Sequence, residues 1–268
     1  MPERRGMKEN RKSKGLISGQ MLLFEFRNTI GNPYVHIFGV GMPVLMMIII
    51  TRAVAGEMPE GPMLSTAMTS VFLGIGALIP MATIFMGYGV AHAQELEKGI
   101  PQRLELFGIK ISVTLCNRIL SEIIFMSMAF AVYFAAGYGF VEVEPPTVSG
   151  ALLYMVCILV LSVILFCLAH AISSLLKKFG ATYCVTMILY FLQMILGGMM
   201  GISYDNMPSP MQVAAKLLPV TYINRDFYTV WKGEHYNFVP MVQSYLLMGA
   251  MAGILLFVTL RKERRELH

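Results

Sequence analysis

The chain has 268 residues, of which 56% are hydrophobic and 14% charged, with a formal net charge of +5. A soluble domain carries about 25% charged residues, and long uncharged apolar runs recur here, so the composition excludes a soluble globular protein and points to an integral membrane protein. The positive charge lies in tails and loops and is a topology signal; no nucleic-acid partner is expected.

Residues 1–14 hold six of the 21 Lys and Arg residues, a basic tail beside a membrane. They contain no short apolar core with a cleavage site, so the first apolar segment is read as an uncleaved span. Residues 16–30 place Ile17, Met21 and Phe24 on one helical face and Leu22, Phe26 and Ile30 on another, with Glu25 and Arg27 at the centre. That pattern predicts a helix lying at the bilayer surface, ended by Gly31-Asn32-Pro33. The expected division is therefore 1–33, a basic cytosolic tail with an interfacial elbow helix, and 34–268, a six-span transmembrane domain with a cytosolic C-terminal tail. The spans are predicted at about 34–54, 64–92, 113–139, 149–176, 180–202 and 238–260. Pro43 and Pro80 are expected kinks, and span 2 exceeds the roughly 30 Å hydrocarbon core.

His92–Val113 is the main polar interruption. The 34 residues from Gly61 to Gln94 carry no Lys, Arg, Asp or Glu; three acids and three bases then fall between Glu95 and Lys110. Gly99 permits a sharp reversal, and Pro101 suits the first turn of a new helix through Gln102–Gly108. Leu104 and Phe107, three apart, are expected on one face, with Glu95, Glu97, Arg103 and Glu105 as a charged rim. Such a loop either is simply solvated or docks a soluble partner.

Within span 3, Arg118 and Glu122 stand at i, i+4 and are expected to pair as an interfacial salt bridge that seats the helix. The four cysteines, Cys116, Cys157, Cys167 and Cys184, lie in apolar runs with neither CxxC nor zinc spacing. Gly197 with Gly201, and Gly249 with Gly253, are GxxxG pairs expected to bring helices close. The segment 197–237 is punctuated by Pro208, Pro210 and Pro219, and its apolar middle, Met211–Val220, is too short to span. Two short helices are expected, about 209–217 and 222–232. They form either an amphipathic loop on the headgroups or a re-entrant hairpin in the outer leaflet, where irregular backbone must be shielded by protein or water. Tyr222, Tyr228, Trp231 and Tyr236 suit an interface.

No catalytic or metal constellation converges. The dipeptide Gly-Lys is absent, so there is no Walker loop, and neither HExxH nor GxSxG occurs. Residues 34–139 and 149–260 show no internal repeat, which disfavours inverted-repeat carriers. Counting bases places 16 Lys and Arg on the side of the termini and four on the other, so both termini are expected in the cytosol of a prokaryotic plasma membrane.

Four features in order, over roughly residues 16–262, resemble the membrane subunit of a type-2 ABC exporter. They are an interfacial helix running into a Gly-Asn-Pro elbow (LLFEFRNTIGNPYVHIFGVGMPVLMM), a polar loop after span 2 (ELEKGIPQRLELFGIKIS), six spans with short outer loops, and a Pro-rich last outer segment (NMPSPMQVAAKLLPVTYINRDFYTVWKGE) with Leu218, Pro219 and Tyr222 at its centre. The resemblance implies an all-α half-transporter with an N-terminal interfacial helix, a cytosolic coupling helix and an outer-leaflet re-entrant hairpin. It implies a second permease subunit, identical or paralogous, and two separate ATPase subunits that bind ATP and Mg. The loop with Glu95, Glu97, Gly99, Pro101, Arg103, Leu104, Glu105 and Phe107 would be the coupling element, and this chain would bind no cofactor. The expected cargo is amphipathic: a peptide, drug or lipid-like molecule. The alternative is a self-contained channel or secondary carrier without an ATPase; a membrane enzyme is disfavoured for want of an acid–base or metal set.

Orientation is tested with Met58→Cys, Gly99→Cys and Lys178→Cys, each in a background without the four native cysteines. An impermeant thiol reagent should label position 58 in intact cells, and positions 99 and 178 only after the membrane is opened. Labelling of position 99 from outside overturns the orientation.

Overall fold

The computed structural model describes residues 17–109 and 111–266; the basic tail read at residues 1–14 lies outside the described residues, as does Lys110. The described chain is helical. Helix α1 (Gly19–Ile30) ends at Gly31, and a short helical turn from Pro33 to His36 leads into α2 (Ile37–Glu57). Then follow α3 (Pro62–Glu97), α4 (Ile100–Leu106), α5 (Ile111–Phe140), α6 (Val148–Leu176) and α7 (Phe179–Leu196). Three short helices, α8 (Ser209–Ala215), α9 (Pro219–Arg225) and α10 (Phe227–Trp231), precede α11 (Val239–Glu266). Six helices, α2, α3, α5, α6, α7 and α11, are long and apolar enough to cross a membrane.

Helix α3 is the centre of the bundle. Of its apolar stretch 78% is buried, against 22–33% for the other five. Its freedom from charge and its small residues permit this: a Cβ at Gly89 would lie 3.2 Å from the Cβ of Ala169 on α6, a closeness that small side chains allow. Pro80 supplies no N–H, and the eight residues after it, Met81–Tyr88, wind as a π-helix. Ile37–Gly41 at the start of α2 is also π-helical, and Thr83 fills the space left by the missing side chain of Gly39. The expected irregularity at Pro80 is thus a widened helix that continues to Glu97.

The glycine pairs do not act as expected. Helix α7 stops at Leu196, six residues short of the predicted boundary, because Gly198 (φ +76°) and Gly201 (φ +84°) turn the chain out of the helix. Gly197 caps α7, where a Cβ would lie 3.2 Å from Val220 of the short helix α9, and Gly201 belongs to the turn. On α11, a Cβ at Gly249 would lie 3.6 Å from Ile164 of α6, whereas one at Gly253 would meet nothing within 4 Å. The buried face of α11 is instead Met241, Ser244, Met248 and Ala252, and Tyr245 from the same helix donates to the carbonyl of Cys157 at 3.0 Å.

The segment after α7 is built by its prolines. Pro208 precedes α8, Pro210 lies in its first turn, Leu218 caps α9, and Pro219 opens it, where a missing N–H leaves nothing unpaired. Thr221 Oγ1 donates to the carbonyl of Ala215 at 2.7 Å, and Tyr222 Oη to that of Lys216 at 3.1 Å, so α9 folds back on the end of α8. Asn224 Nδ2 reaches the carbonyl of Gly197 at 2.9 Å and lies against Gly74 of α3.

Trp231 is packed inside the protein. It is 1% exposed, because its indole N–H finds the carbonyl of Glu144 at 2.8 Å and so can be buried. The Glu144 carboxylate accepts from Ser65 at 2.7 Å and Tyr228 at 3.1 Å, and pairs with Lys232 at 2.8 Å. The Glu142–Glu144 loop is therefore the clasp that joins α3, α10 and the α5–α6 connection. The hydrogen bonds from Lys232 and Ser65 hold the Glu144 carboxyl below its ordinary pKa range.

A lowered folded-state pKa stabilises above the ordinary carboxylate value, about 4.3, and that stabilisation is lost as pH falls through the lowered value. Glu144→Gln should therefore lower the unfolding midpoint by a few degrees at pH 7, with the gap to the parent protein closing on acidification below about pH 4. A gap unchanged down to pH 3 would remove Glu144 from the clasp.

Candidate functional site

The polar loop and the elbow helix meet at one end of the bundle. Helix α3 carries its backbone beyond the apolar stretch to Glu97; Gly99 (φ +66°) then reverses the chain, and α4 begins with Pro101 in its first turn. Gly108 (φ +80°) turns it again towards α5. With 30 residues, α5 is about 45 Å long, some 15 Å more than the hydrocarbon core, and its first turns lie beside α1.

Arg118 of α5 is the hub. The expected pairing with Glu122 does not form. The guanidinium binds Glu95 of α3 through Nη1, lies 4.0 Å from Glu25 of α1, and covers the Tyr88 ring at 5.1 Å. Glu122, one turn further along α5, instead accepts from Thr29 Oγ1 of α1 at 3.1 Å. The i, i+4 rule of an isolated helix fails because α1 and α3 bring carboxylate and hydroxyl partners to both residues. Ser121 also meets Thr29 at 3.3 Å, and Asn117 accepts from the Ser18 N–H at 3.1 Å, so α1 is tied to α5 along its length. Burial raises the pKa of Glu25 from its ordinary value, with Arg118 opposing the shift.

A second set of contacts joins α3 to α6. Tyr88 stacks on Phe166 at 4.3 Å and bonds His170 Nδ1 through its hydroxyl at 2.6 Å; His92 stacks on His170 at 4.8 Å. His170 is thus held by packing and one hydrogen bond. Glu97 reaches across to α7, where its carboxylate accepts from the Phe179 N–H at 2.8 Å, satisfying a first-turn donor of that helix.

The expected coupling residues therefore divide. Glu95 and Glu97 are not rim charges: they bind the stem of the loop to α5 and α7. Arg103 and Glu105 are exposed. Leu104 and Phe107 do not share an outward face. Leu104 lines the interior, whereas Phe107 lies past the end of α4 and is 84% exposed. Its exposed neighbour is Leu106, at 87%, a residue that a continuous helix through Gly108 would have placed elsewhere.

Between α1, α3, α4 and α5 lies a cavity of about 660 Å³, lined among others by Glu25, Tyr88, Glu95, Leu104, Arg118 and Glu122. Among the described residues no group of three His, Cys, Asp or Glu side chains is placed to hold a metal ion.

Arg118→Met should leave buried carboxylates without their cation and destabilise the fold by about 3 kcal/mol, read as a lower unfolding midpoint in detergent. Adding Glu95→Gln removes one orphaned charge and should restore part of the loss. A single variant with the parent midpoint would show that the hub carries no structural weight.

A comparison with curated proteins gives no match. The profile of the family described as ABC-2 type transporter matches residues 19–227, more than three quarters of the chain. With its six apolar helices, the chain is a multi-pass membrane protein that belongs to the ABC-2 type transporter family, as a permease subunit.

Proposed function

We propose that this permease is half of the membrane part of an ATP-driven exporter, and that α4 is where a separate ATPase delivers its work. Two copies, or this chain and a paralogue, would assemble with two ATPase subunits that hold ATP and Mg. Both termini and α4 would face the cytosol of a prokaryotic plasma membrane, with residues 1–33 as the tail and elbow and 34–268 as the transmembrane domain. Helices α8–α10 would dip into the outer leaflet as a re-entrant hairpin; the burial of α9 against α3 supports this. The cargo would be an amphipathic peptide, drug or lipid-like molecule carried outward, in keeping with spans that hold few fixed charges.

The observation that carries the reading is the exposure of Leu106 and Phe107 beside a rigidly anchored stem. Two large apolar side chains presented together on a polar loop suit an apolar groove in a partner, while Arg103 and Glu105 next to them suit a charged rim that sets register. Glu95 and Glu97, bonded to α5 and α7, make the stem stiff enough to pass a displacement on.

Leu106→Asp with Phe107→Asp would put two charges into that groove, weakening the contact by about 2 kcal/mol or more per residue. An ATP-photolabelled chain that co-purifies with the parent permease from host membranes should be lost, or its hydrolysis uncoupled from transport, with cysteine labelling of the spans unchanged. Retention of the partner together with full transport overturns the proposal.

A further inference from the structure

We propose that the cavity beneath α1 binds a primary ammonium group carried on an amphipathic molecule. Three carboxylates, Glu25, Glu95 and Glu122, line it. Among the described residues Arg118 is the one buried guanidinium or ammonium set between them; Glu25 and Glu122 are only 3% and 4% exposed. Arg27 and Lys98 also line the cavity but are solvent-exposed, at its rim. His92 and His170 reach the wall stacked on each other at 4.8 Å, an arrangement that opposes charging both. The deep wall therefore carries more carboxylate than cation.

Two oxygens on that wall lack donors. Glu122 Oε2 and Thr114 Oγ1 are buried and accept no hydrogen bond from the protein, and between them the Arg118 Nε donor is likewise without an acceptor. Thr114, Arg118 and Glu122 recur every four residues, which places them on one face of α5. A buried carboxylate oxygen without a donor is unfavourable. An –NH3⁺ group brings three donors and no acceptor, which matches the buried Glu122 oxygen; Thr114, eight residues and so about 12 Å away along α5, lies outside the reach of the same ammonium. The wall also holds the polar Asn28, Thr29 and Gln94, and an apolar and aromatic part with Phe24, Leu115 and Phe179 beside the Tyr88 ring. The exposed side chains of Ile17, Leu23 and Phe24 show that α1 turns apolar groups outward, so an occupant's tail can lie beside them in lipid. The ammonium could come from a free amine or from a lipid headgroup; the recognising chemistry is the same.

Binding itself rests on this geometry, and only the occupant's role as cargo rests on the exporter reading. The test uses the purified permease in dodecyl maltoside without any ATPase, so either idea can fail while the other stands. Octylamine, octyltrimethylammonium and octanol are offered at equal mole fraction. Dioleoyl phosphatidylethanolamine and phosphatidylcholine are offered likewise, and bound molecules are counted by native mass spectrometry. Octylamine should be retained about tenfold over its trimethyl and alcohol counterparts, the ratio expected for one charge-assisted hydrogen bond. An equal preference for phosphatidylethanolamine over phosphatidylcholine assigns a lipid-borne source as well; preference for octylamine alone assigns a free amine. Glu122→Gln should abolish the preference and Glu25→Gln reduce it, the second variant serving if the first does not fold. Equal retention of all probes, no retention, or a preference that survives Glu122→Gln overturns the proposal.

Discussion

One buried guanidinium holds together segments that the chain keeps far apart. Arg118 belongs to α5, yet its partners are Glu95 at the foot of α3 and Glu25 in the elbow helix. A charge at 5% exposure is tolerable only beside opposite charge. Pulling Glu95 away would leave both ions uncompensated in a medium of low dielectric, so α1, the stem of α4 and the start of α5 favour moving together. Thr29 adds to the same junction by reaching both Ser121 and Glu122. The consequence is geometric: the foot of α3, the elbow helix and α5 meet at one cluster of ions.

Helix α3 connects this junction to the other end of the molecule. Its 36 residues extend about 54 Å. At the far end Ser65 and Tyr228 meet on Glu144, and Asn224 of α9 lies against Gly74. The same helix thus carries the foot of α4 at one end and the base of the α8–α10 segment at the other. Between them lies the π-helical stretch Met81–Tyr88, packed on the second π-helical stretch, Ile37–Gly41, through Thr83 and Gly39. Widened turns of this kind recur at functional sites. Here they stand midway between the two ends, next to Tyr88, which faces Arg118 on one side and the α6 rings on the other.

The two polar junctions differ in character. Glu144 at the clasp has a lysine, a serine and a tyrosine on its carboxylate, and its pKa is held low. Glu25 at the Arg118 junction has the guanidinium 4.0 Å away and is buried, and its pKa is raised. The clasp is a satisfied fastening. The Arg118 junction leaves Glu122 Oε2, Thr114 Oγ1 and Arg118 Nε without protein partners and opens on a cavity.

What the sequence determined by itself is what depends on neighbours in the chain. Apolar runs marked six spans to within a few residues, apart from the C-terminal end of α7. Gly31-Asn32-Pro33 ended α1, Gly99 and Pro101 built the reversal into α4, and the prolines at 208, 210 and 219 opened α8 and α9, because backbone freedom and a missing N–H act locally. The tertiary structure alone decided everything that needed a partner from elsewhere. Arg118 turned from Glu122, four residues away, to Glu95 and Glu25, because neighbouring helices offered carboxylates on the face it shows. Trp231 could be buried because the carbonyl of Glu144 satisfies its N–H. Glu97 became a cap for α7, Leu106 replaced Leu104 beside Phe107 at the surface, and Gly201 served a turn. Periodicity tells which residues share a face; which face meets protein, lipid or water depends on how the helices pack, and the chain carries that only through contacts many residues apart.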